Sequence, residues 1–235
     1  MAAPTARRGS RQIYAWTATR RWGCSVKSLS PIRAVVFDLL TGLLDSWTVW
    51  NAVAGDDALG IHWRAAYLRR TYAQQRYAPY LEIVAAAALD VGLPATMADA
   101  LAAQWDLLAP WPEVPAVLSA LREHTPLGVV TNCSQVLGER AALAVGVPFD
   151  VVITAEDVGF YKPNPRCYLA AAEALGVAPS DVLFVAGSPF DVVGAAAAGM
   201  PVYWHNRIGM LCPPRVTMPS PDRYTEARDL WGLTR

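Results

Sequence analysis

The 235-residue chain lacks a net charge, because its 20 lysines and arginines balance 20 aspartates and glutamates. A neutral chain has no overall field that would favour binding to nucleic acid or to an anionic membrane. The chain also lacks an apolar run of the roughly 18 residues that a membrane-spanning helix requires. We therefore expect a cytoplasmic protein whose partner is a small molecule, and neither nucleic acid nor a membrane.

The sequence has no metal-binding pattern either. Its cysteines form no CxxC pair, and its three histidines lack the spacing of metal ligands. Neither a zinc site nor a dense disulfide framework is indicated, and the four cysteines are Cys24, Cys133, Cys167 and Cys212. Cys133 follows Asn132 directly, but it has no paired histidine in a recognisable arrangement. We interpret it as a core or loop residue and not as a nucleophile.

Acidic residues are missing from the start of the chain, where the first one is Asp38. Residues 1–33 are instead rich in arginine, serine and threonine. We predict that this segment is a basic, poorly ordered extension. Import into an organelle is the second interpretation, because transit peptides share this composition.

Short apolar, β-rich segments recur along the rest of the chain and predict buried strands. They are Ala34 to Phe37, Leu127 to Val130, Val151 to Ile153, Val182 to Val185 and Pro201 to Trp204. Helical patterns lie between the later strands, at Val114 to Glu123, Gln135 to Leu143, Pro165 to Leu175 and Val192 to Ala198. Strands that alternate with helices predict an α/β fold with a doubly wound, Rossmann-like parallel sheet.

The segment after the first predicted strand is about eighty residues long, which exceeds an ordinary crossover connection. Its apolar spacing, for example in Trp63-Ala66-Tyr67, indicates several helices. We predict a helical cap at residues 48–112, inserted into a core made of residues 34–47 and 113–235. Such a cap would lie over the carboxyl ends of the strands and control access to them.

Polar side chains follow the ends of several predicted strands. They are Asp38, Thr131 with Asn132, Lys162 in a loop, and Ser188 with Asp191. Strand ends of a parallel sheet meet at one crevice, so these groups should converge there. A carboxylate, hydroxyl and amide donors and an ammonium are the components of nucleophilic displacement with charge stabilisation.

The order of these groups resembles the four motifs of the haloacid dehalogenase superfamily. The matching segments are Phe37-Asp38, Val130-Thr131-Asn132, Tyr161-Lys162-Pro163-Asn164-Pro165 and Gly187-Ser188-Pro189-Phe190-Asp191. Further detail resembles the 2-haloacid dehalogenases, namely Trp63-Arg64, Pro112-Glu113-Val114-Pro115 and Trp204-His205-Asn206-Arg207.

The resemblance implies a metal-independent reaction on a small organic acid. Asp38 would attack the carbon that carries the halogen, and water would hydrolyse the resulting ester. Lys162 would keep Asp38 ionised, and Asp191 would orient Lys162 and the water. No cofactor is implied, and a homodimer is possible.

The resemblance also implies the groups that bind the substrate. Thr131 and Asn132 would donate hydrogen bonds to its carboxylate or to an oxyanion, together with backbone amides near Leu39 and Leu40. Arg64 would bind departing halide or the carboxylate. A helical arginine beside a tryptophan is also common on protein surfaces, so that interpretation stays open. The alternatives to Arg64 are Arg69 and Arg70.

Several residues could line a dry halide pocket beside these groups. The aromatic candidates are Trp47, Trp63 and Phe190, although aromatic residues in such places often belong to the core. Ser188 retains a hydroxyl that could contact the substrate.

Leu40 and Gly187 are among the positions that depart from the motifs. Superfamily phosphatases carry a general acid where this chain has Leu40, and a magnesium-binding acid where it has Gly187. Dehalogenases carry an aromatic hydroxyl at the position of Leu40. Two further hypotheses therefore remain: a magnesium-dependent phosphatase that uses Asp38 and Asp191, and a degenerate binding protein without catalysis.

Overall fold

A computed structural model describes residues 32–74, 76–214 and 216–234. The strands of this part of the chain, named β1 to β6 in order, are Ala34–Asp38, Leu127–Thr131, Val151–Thr154, Val182–Ala186, Val202–His205 and Tyr224–Ala227. They form one parallel sheet in the order β3-β2-β1-β4-β5-β6. Of the predicted basic extension at residues 1–33, positions 1–31 lie outside the described residues.

The helices alternate with the strands after an initial helical insertion. Named α1 to α9, they are Ser46–Ala54, Asp57–Ala73, Tyr80–Asp90, Met97–Ala103, Val114–Arg122, Gln135–Ala144, Ala155–Val158, Pro165–Leu175 and Pro189–Ala197. Apolar residues of α5 and α6 cover one face of the sheet, and those of α8 and α9 cover the other. The fold is therefore the predicted doubly wound α/β sheet.

Both faces of β1 are buried, which explains its continuous apolar sequence. Val35 and Phe37 pack into the core on one face, while Ala34 and Val36 pack into the core on the other. The strand order reverses between β1 and β4, which pair with each other in the centre of the sheet. In open α/β sheets a crevice forms at this reversal, beyond the carboxyl ends of the strands. Asp38 is the last residue of β1 and lies at that crevice.

The insertion leaves and rejoins the core through a short antiparallel contact. The Asp45 amide donates to the Ala109 carbonyl at 2.8 Å, and the Trp111 amide donates to the Leu43 carbonyl at 3.0 Å. Helices α1 to α4 lie between these points, so the segment is helical as predicted. Its interior is aromatic, because the Trp50 ring lies 4.6 Å from that of Trp63. The division at residues 48 and 112 stays a prediction.

The structure adds two elements that the sequence patterns did not predict. β6 is a half-exposed edge strand with no clear apolar alternation, and α7 is only four residues long. Helix α9 also begins earlier than expected, because Ser188 caps it and Pro189 occupies its first turn. In the described part of the chain, every helix is too short or too polar to cross a bilayer.

The sheet leaves no space at Gly128 of β2. A Cβ atom there would lie 2.7 Å from Cγ2 of Val151 and 3.4 Å from Cγ2 of Val36. We expect Gly128→Ala to lower the free energy of unfolding by roughly 1–3 kcal/mol, measured by urea titration. In a Val151→Ala background the obstructing methyl is gone, so the same substitution should cost less. An equal cost in both backgrounds would contradict this packing.

Candidate active site

The carboxylate of Asp38 is held by three donors. Its Oδ2 atom accepts hydrogen bonds from the Thr41 amide at 3.0 Å and the Gly42 amide at 2.8 Å. Its Oδ1 atom accepts a hydrogen bond from Lys162 Nζ at 2.6 Å. The side chain is buried at the end of β1, so its orientation is fixed before any ligand binds.

The Lys162 ammonium lies between two carboxylates. Its Nζ atom is 2.6 Å from Asp38 Oδ1 and 3.1 Å from Asp191 Oδ1. The loop that carries Lys162 is fixed by Asn132, whose Oδ1 accepts from the Lys162 amide at 2.7 Å. The Asn132 Nδ2 atom donates in turn to the Lys162 carbonyl at 3.2 Å. The ammonium is therefore positioned through its own main chain.

Asp191 is oriented by neighbours on two elements. Tyr168 of α8 donates to its Oδ1 atom at 2.9 Å, and Ser188 donates to its Oδ2 atom at 3.2 Å. The Asp191 amide donates back to the Ser188 hydroxyl at 3.2 Å. These contacts hold the second carboxylate against Lys162, with Oδ1 3.1 Å from its Nζ atom.

The charges of this cluster shift one another's pKa values. Burial alone would raise the pKa of Asp38, but the Lys162 ammonium and the donated hydrogen bonds lower it overall. Burial and the nearby charge of Asp38 together raise the pKa of Asp191. Burial lowers the pKa of Lys162, yet the two carboxylates outweigh it and the net shift is upward. Asp38 is therefore held ionised and paired with a charged lysine.

Arg64 of α2 reaches the same crevice from the inserted segment. The residue is 2% exposed, and its guanidinium lies over the Trp47 ring at 4.3 Å from the ring centroid. The guanidinium donates to the Ser46 hydroxyl, which donates to the Leu40 carbonyl. Its Nε atom has no hydrogen-bond partner within the described residues. Arg64 is thus a buried cation with a free donor, and the surface interpretation of this residue is wrong.

These groups enclose a cavity of about 20 Å³, enough for one water molecule. Its lining consists of Asp38, Leu40, Thr41, Arg64, Tyr67, Leu68, Tyr72, Thr131, Asn132, Lys162 and Asp191. The hydroxyl of Thr131 is buried here and has no hydrogen-bond partner among the residues described.

Three lining residues of α2 were missed by the sequence analysis. Tyr67 donates to the Asn132 carbonyl at 2.8 Å, and Tyr72 donates to the Ser188 hydroxyl at 3.1 Å. Together with Leu68, they follow Arg64 at intervals of three, four and eight residues. This spacing places all four side chains on one helical face, so it was a usable signal.

Some predicted site residues take other positions. Leu39 is fully buried in the core beneath the cavity and does not line it. Ser188 and Phe190 lie behind Tyr72, whose ring stacks on Phe190 at a centroid distance of 3.7 Å. The amide of Asn132 was expected to face the substrate, but the main chain of Lys162 engages both its oxygen and its nitrogen.

The remaining candidates lie in the core or on the surface. Trp63 is fully buried, and its Nε1 atom donates to the Val84 carbonyl at 3.1 Å. Arg69 is exposed, and Arg70 forms a surface ion pair at 2.7 Å with Asp90. Burial raises the pKa of the Cys133 thiol, so that thiol is protonated at neutral pH and suits a structural role.

Gly187 is glycine for a steric reason. A Cβ atom at this position would lie 2.3 Å from Asp38 Oδ2 and 2.6 Å from the Gly42 amide nitrogen. No larger residue fits unless Asp38 moves.

Across residues 32–74, 76–214 and 216–234, no three His, Cys, Asp or Glu side chains are grouped as a metal site.

The chain is similar to known hydrolases. The model of the haloacid dehalogenase-like hydrolases matches residues 32–199. Haloacetate dehalogenase H-2 from Moraxella sp. (strain B) is 29% identical over 199 residues, which cover 77% of this chain and 88% of that protein. Phosphoglycolate phosphatase from Escherichia coli (strain K12) is 42% identical over 94 residues, which cover 39% of this chain and 37% of that protein.

A solved structure extends this similarity to the fold. The L-2-haloacid dehalogenase from Xanthobacter autotrophicus, with chloropropionic acid covalently bound, superposes with a TM-score of 0.74 at 25% identity. The match covers 86% of this chain and 97% of that one. The chain is therefore similar to dehalogenases over most of its length, and to the phosphatase over a shorter segment.

Removal of the Lys162 ammonium should make stability depend on pH. In Lys162→Met the two buried carboxylates lose the cation that lies between them, so their pKa values rise. A raised folded-state pKa contributes stability at low pH that is lost as pH rises. We expect a loss of roughly 3–5 kcal/mol at about pH 8 and a smaller loss at about pH 5, measured by urea unfolding.

The matched control adds Asp191→Asn to Lys162→Met. It removes one carboxylate and its repulsion, so most of the new pH dependence should disappear. If Lys162→Met shows the same pH dependence as the unaltered protein, the charge cluster is not what holds Asp38 ionised.

Proposed function

We propose that this chain, which belongs to the haloacid dehalogenase-like hydrolase family, hydrolyses the carbon–halogen bond of a small 2-halo acid through an ester on Asp38 and without a metal. The observation that carries this proposal is the position of Lys162. Its ammonium keeps a buried carboxylate ionised at the crevice of the sheet. A buried, oriented and ionised carboxylate is a nucleophile.

In the first step Asp38 displaces the halide. A carboxylate oxygen forms a bond to the carbon next to the substrate's carboxylate, and the carbon–halogen electron pair leaves with the halide. The product is an ester between Asp38 and the acid. Because the Oδ2 atom is held by two amides, we assign the attack to Oδ1, with Lys162 offsetting the negative charge of the substrate.

In the second step water hydrolyses the ester at Cγ of Asp38. Negative charge then develops on Oδ2, where the Thr41 and Gly42 amides already donate. One proton of the water goes to the departing hydroxyl oxygen, and the other is released to solvent. The carboxylate of Asp38 is regenerated, and Asp191 keeps Lys162 and the water in place.

Among the described residues that line this cavity, Arg64 and Thr131 have buried donors without a partner. We assign them to the anionic parts of the reaction, the substrate carboxylate and the departing halide. In this conformation the cavity measures about 20 Å³, close to the space that one water molecule needs. We therefore propose that α2, which carries Arg64, moves when substrate enters, and that the inserted helices act as a cap that completes the site on closure.

Three features weigh against a magnesium-dependent phosphatase. Magnesium requires several oxygen ligands in near-octahedral geometry, but the space between Asp38 and Asp191 is occupied by the Lys162 ammonium. The position of the usual additional acid is Gly187, where a side chain would collide with Asp38. Leu40 also supplies no general acid. The donor set therefore does not fit the metal.

The apolar wall of the cavity bears on the choice of substrate. Leu40 and Leu68 line it and cannot hydrogen-bond a carboxylate, so they would contact the alkyl part of the acid. The partner we propose is a small organic acid. A homodimer and a cytoplasmic location remain predictions from the sequence.

The first experiment measures halide release from a panel of 2-chloro and 2-bromo acids in the presence of a chelator. We expect release without metal, and a fall of at least about 10³-fold in Asp38→Asn. In a single turnover in water enriched in heavy oxygen, label should enter the Asp38 carboxylate, detected by mass spectrometry of the peptide. That result follows because water attacks the protein side of the ester.

A parallel assay measures phosphate release from a generic ester with and without magnesium. Metal-dependent phosphate release that requires Asp38, without halide release, would replace this proposal by the phosphatase. Silence in both assays would favour a binding protein.

Substitution of Arg64 tests the assignment of the cap cation. Arg64→Gln should raise KM for 2-halo acids about tenfold or more, because a charge-assisted hydrogen bond is lost. The control is Arg69→Gln, an exposed arginine on the same helix, which should leave KM unchanged.

The matching 2-halo amide separates the two possible roles of Arg64. If Arg64 binds the carboxylate, the amide should be affected little by Arg64→Gln. If it binds the halide, kcat should fall for both substrates. Equal behaviour of the Arg64 and Arg69 variants would remove Arg64 from the site.

A further inference from the structure

His205 is a buried group that the mechanism above does not use. It is the last residue of β5 and is fully inaccessible to solvent. Its Nδ1 atom lies 2.7 Å from the carbonyl oxygen of Gly42. Gly42 is the residue whose amide donates to Asp38 Oδ2 at 2.8 Å. One hydrogen bond therefore connects β5 to a residue that holds the nucleophile.

The imidazole must be the donor in this contact, because a carbonyl oxygen can only accept. We accordingly assign a proton to Nδ1. Burial lowers the pKa of His205, although the Gly42 carbonyl, Glu113 and the Arg228 backbone oppose that shift. The proton on Nδ1 is available to the Gly42 carbonyl whether the ring is neutral or charged.

Charged groups on the far side of the ring balance one another. Glu113, which precedes α5, has its Oε1 atom 3.7 Å from His205 Nε2. The same oxygen accepts a hydrogen bond from Arg207 at 2.8 Å. The Glu113 oxygen that lies nearest the imidazole therefore already has a hydrogen-bond donor in Arg207. The imidazole can then donate its Nδ1 proton to the Gly42 carbonyl.

The backbone around Gly42 leaves little room for displacement. A Cβ atom on Gly42 would lie 2.3 Å from the Asp38 carbonyl oxygen. A Cβ atom on Gly187 would lie 2.6 Å from the Gly42 amide nitrogen. The amide and carbonyl of Gly42 belong to adjacent peptide units, so a bond to its carbonyl restrains the residue that carries the amide.

We propose that His205 is a positioning residue for the nucleophile: by holding the Gly42 carbonyl, it keeps the Gly42 amide on Asp38 Oδ2. Its kinetic consequence rests on the proposed function, because Oδ2 is the atom that becomes negative during ester hydrolysis. The structural part does not depend on the substrate.

Two substitutions separate positioning from simple core packing. His205→Leu fills the space but removes the donor, whereas His205→Asn retains a donor near the position of Nδ1. The control is Tyr203→Phe, which removes a different, partly buried hydrogen bond on the same strand, from Tyr203 to the Asp229 carbonyl at 2.8 Å. Each full-length protein is compared by thermal unfolding, halide release and amide hydrogen exchange of Gly42 measured by NMR.

We expect the Gly42 amide to exchange about tenfold faster in His205→Leu, with kcat lowered about tenfold or more and KM within about twofold. His205→Asn should restore both values, and Tyr203→Phe should change neither. Unchanged Gly42 exchange in His205→Leu would overturn the proposal. The proposal would also be overturned if His205→Leu and His205→Asn lost equal amounts of kcat and of Gly42 amide protection, in proportion to the fall in their thermal unfolding midpoints. If the unaltered protein releases no halide, the proposed function fails, while Gly42 exchange still decides the role of His205.

Discussion

The contact between the Lys162 ammonium and two buried carboxylates is the interaction on which the site depends. Asp38 and Asp191 are both almost inaccessible to solvent, where desolvation and mutual repulsion would favour protonation. The ammonium reverses this effect at Asp38, because it is within 2.6 Å of Oδ1. The cost of burying three charged groups is offset by a nearly complete set of hydrogen bonds, which a buried ion cluster requires.

The second constraint is the close approach of the backbone around Asp38. Gly42 and Gly187 both lie so near the carboxylate that a side chain on either would collide with Asp38. The same closeness lets main-chain amides serve as donors to Oδ2, which longer side chains could not do as rigidly. The close packing around Asp38 therefore requires glycine at position 187, where the superfamily phosphatases carry an acid.

The inserted helices contribute a different kind of group from the sheet. The core supplies Asp38 and the Thr131 hydroxyl from strand ends, Lys162 from a loop and Asp191 from α9. One face of α2 supplies Arg64 and aromatic rings. Tyr67 and Tyr72 also hydrogen-bond to the core side of the cavity. A movement of α2 would therefore alter the charge and the size of the cavity together, which couples access to assembly of the site.

The sequence by itself determined the doubly wound sheet, the helical insertion and the convergence of Asp38, Thr131, Lys162 and Asp191. Apolar periodicity is local, and the ends of parallel strands meet at one crevice, so no distant contact had to be known. β6 escaped prediction because a half-exposed edge strand has little periodicity. Only the tertiary structure decided that Arg64 is buried, that Asn132 serves the Lys162 loop, and that Tyr67 and His205 contact the site. Those contacts join residues that are far apart in the chain, by 65 positions for Tyr67 with Asn132 and by 163 for His205 with Gly42, and no local pattern records which distant groups a side chain will meet.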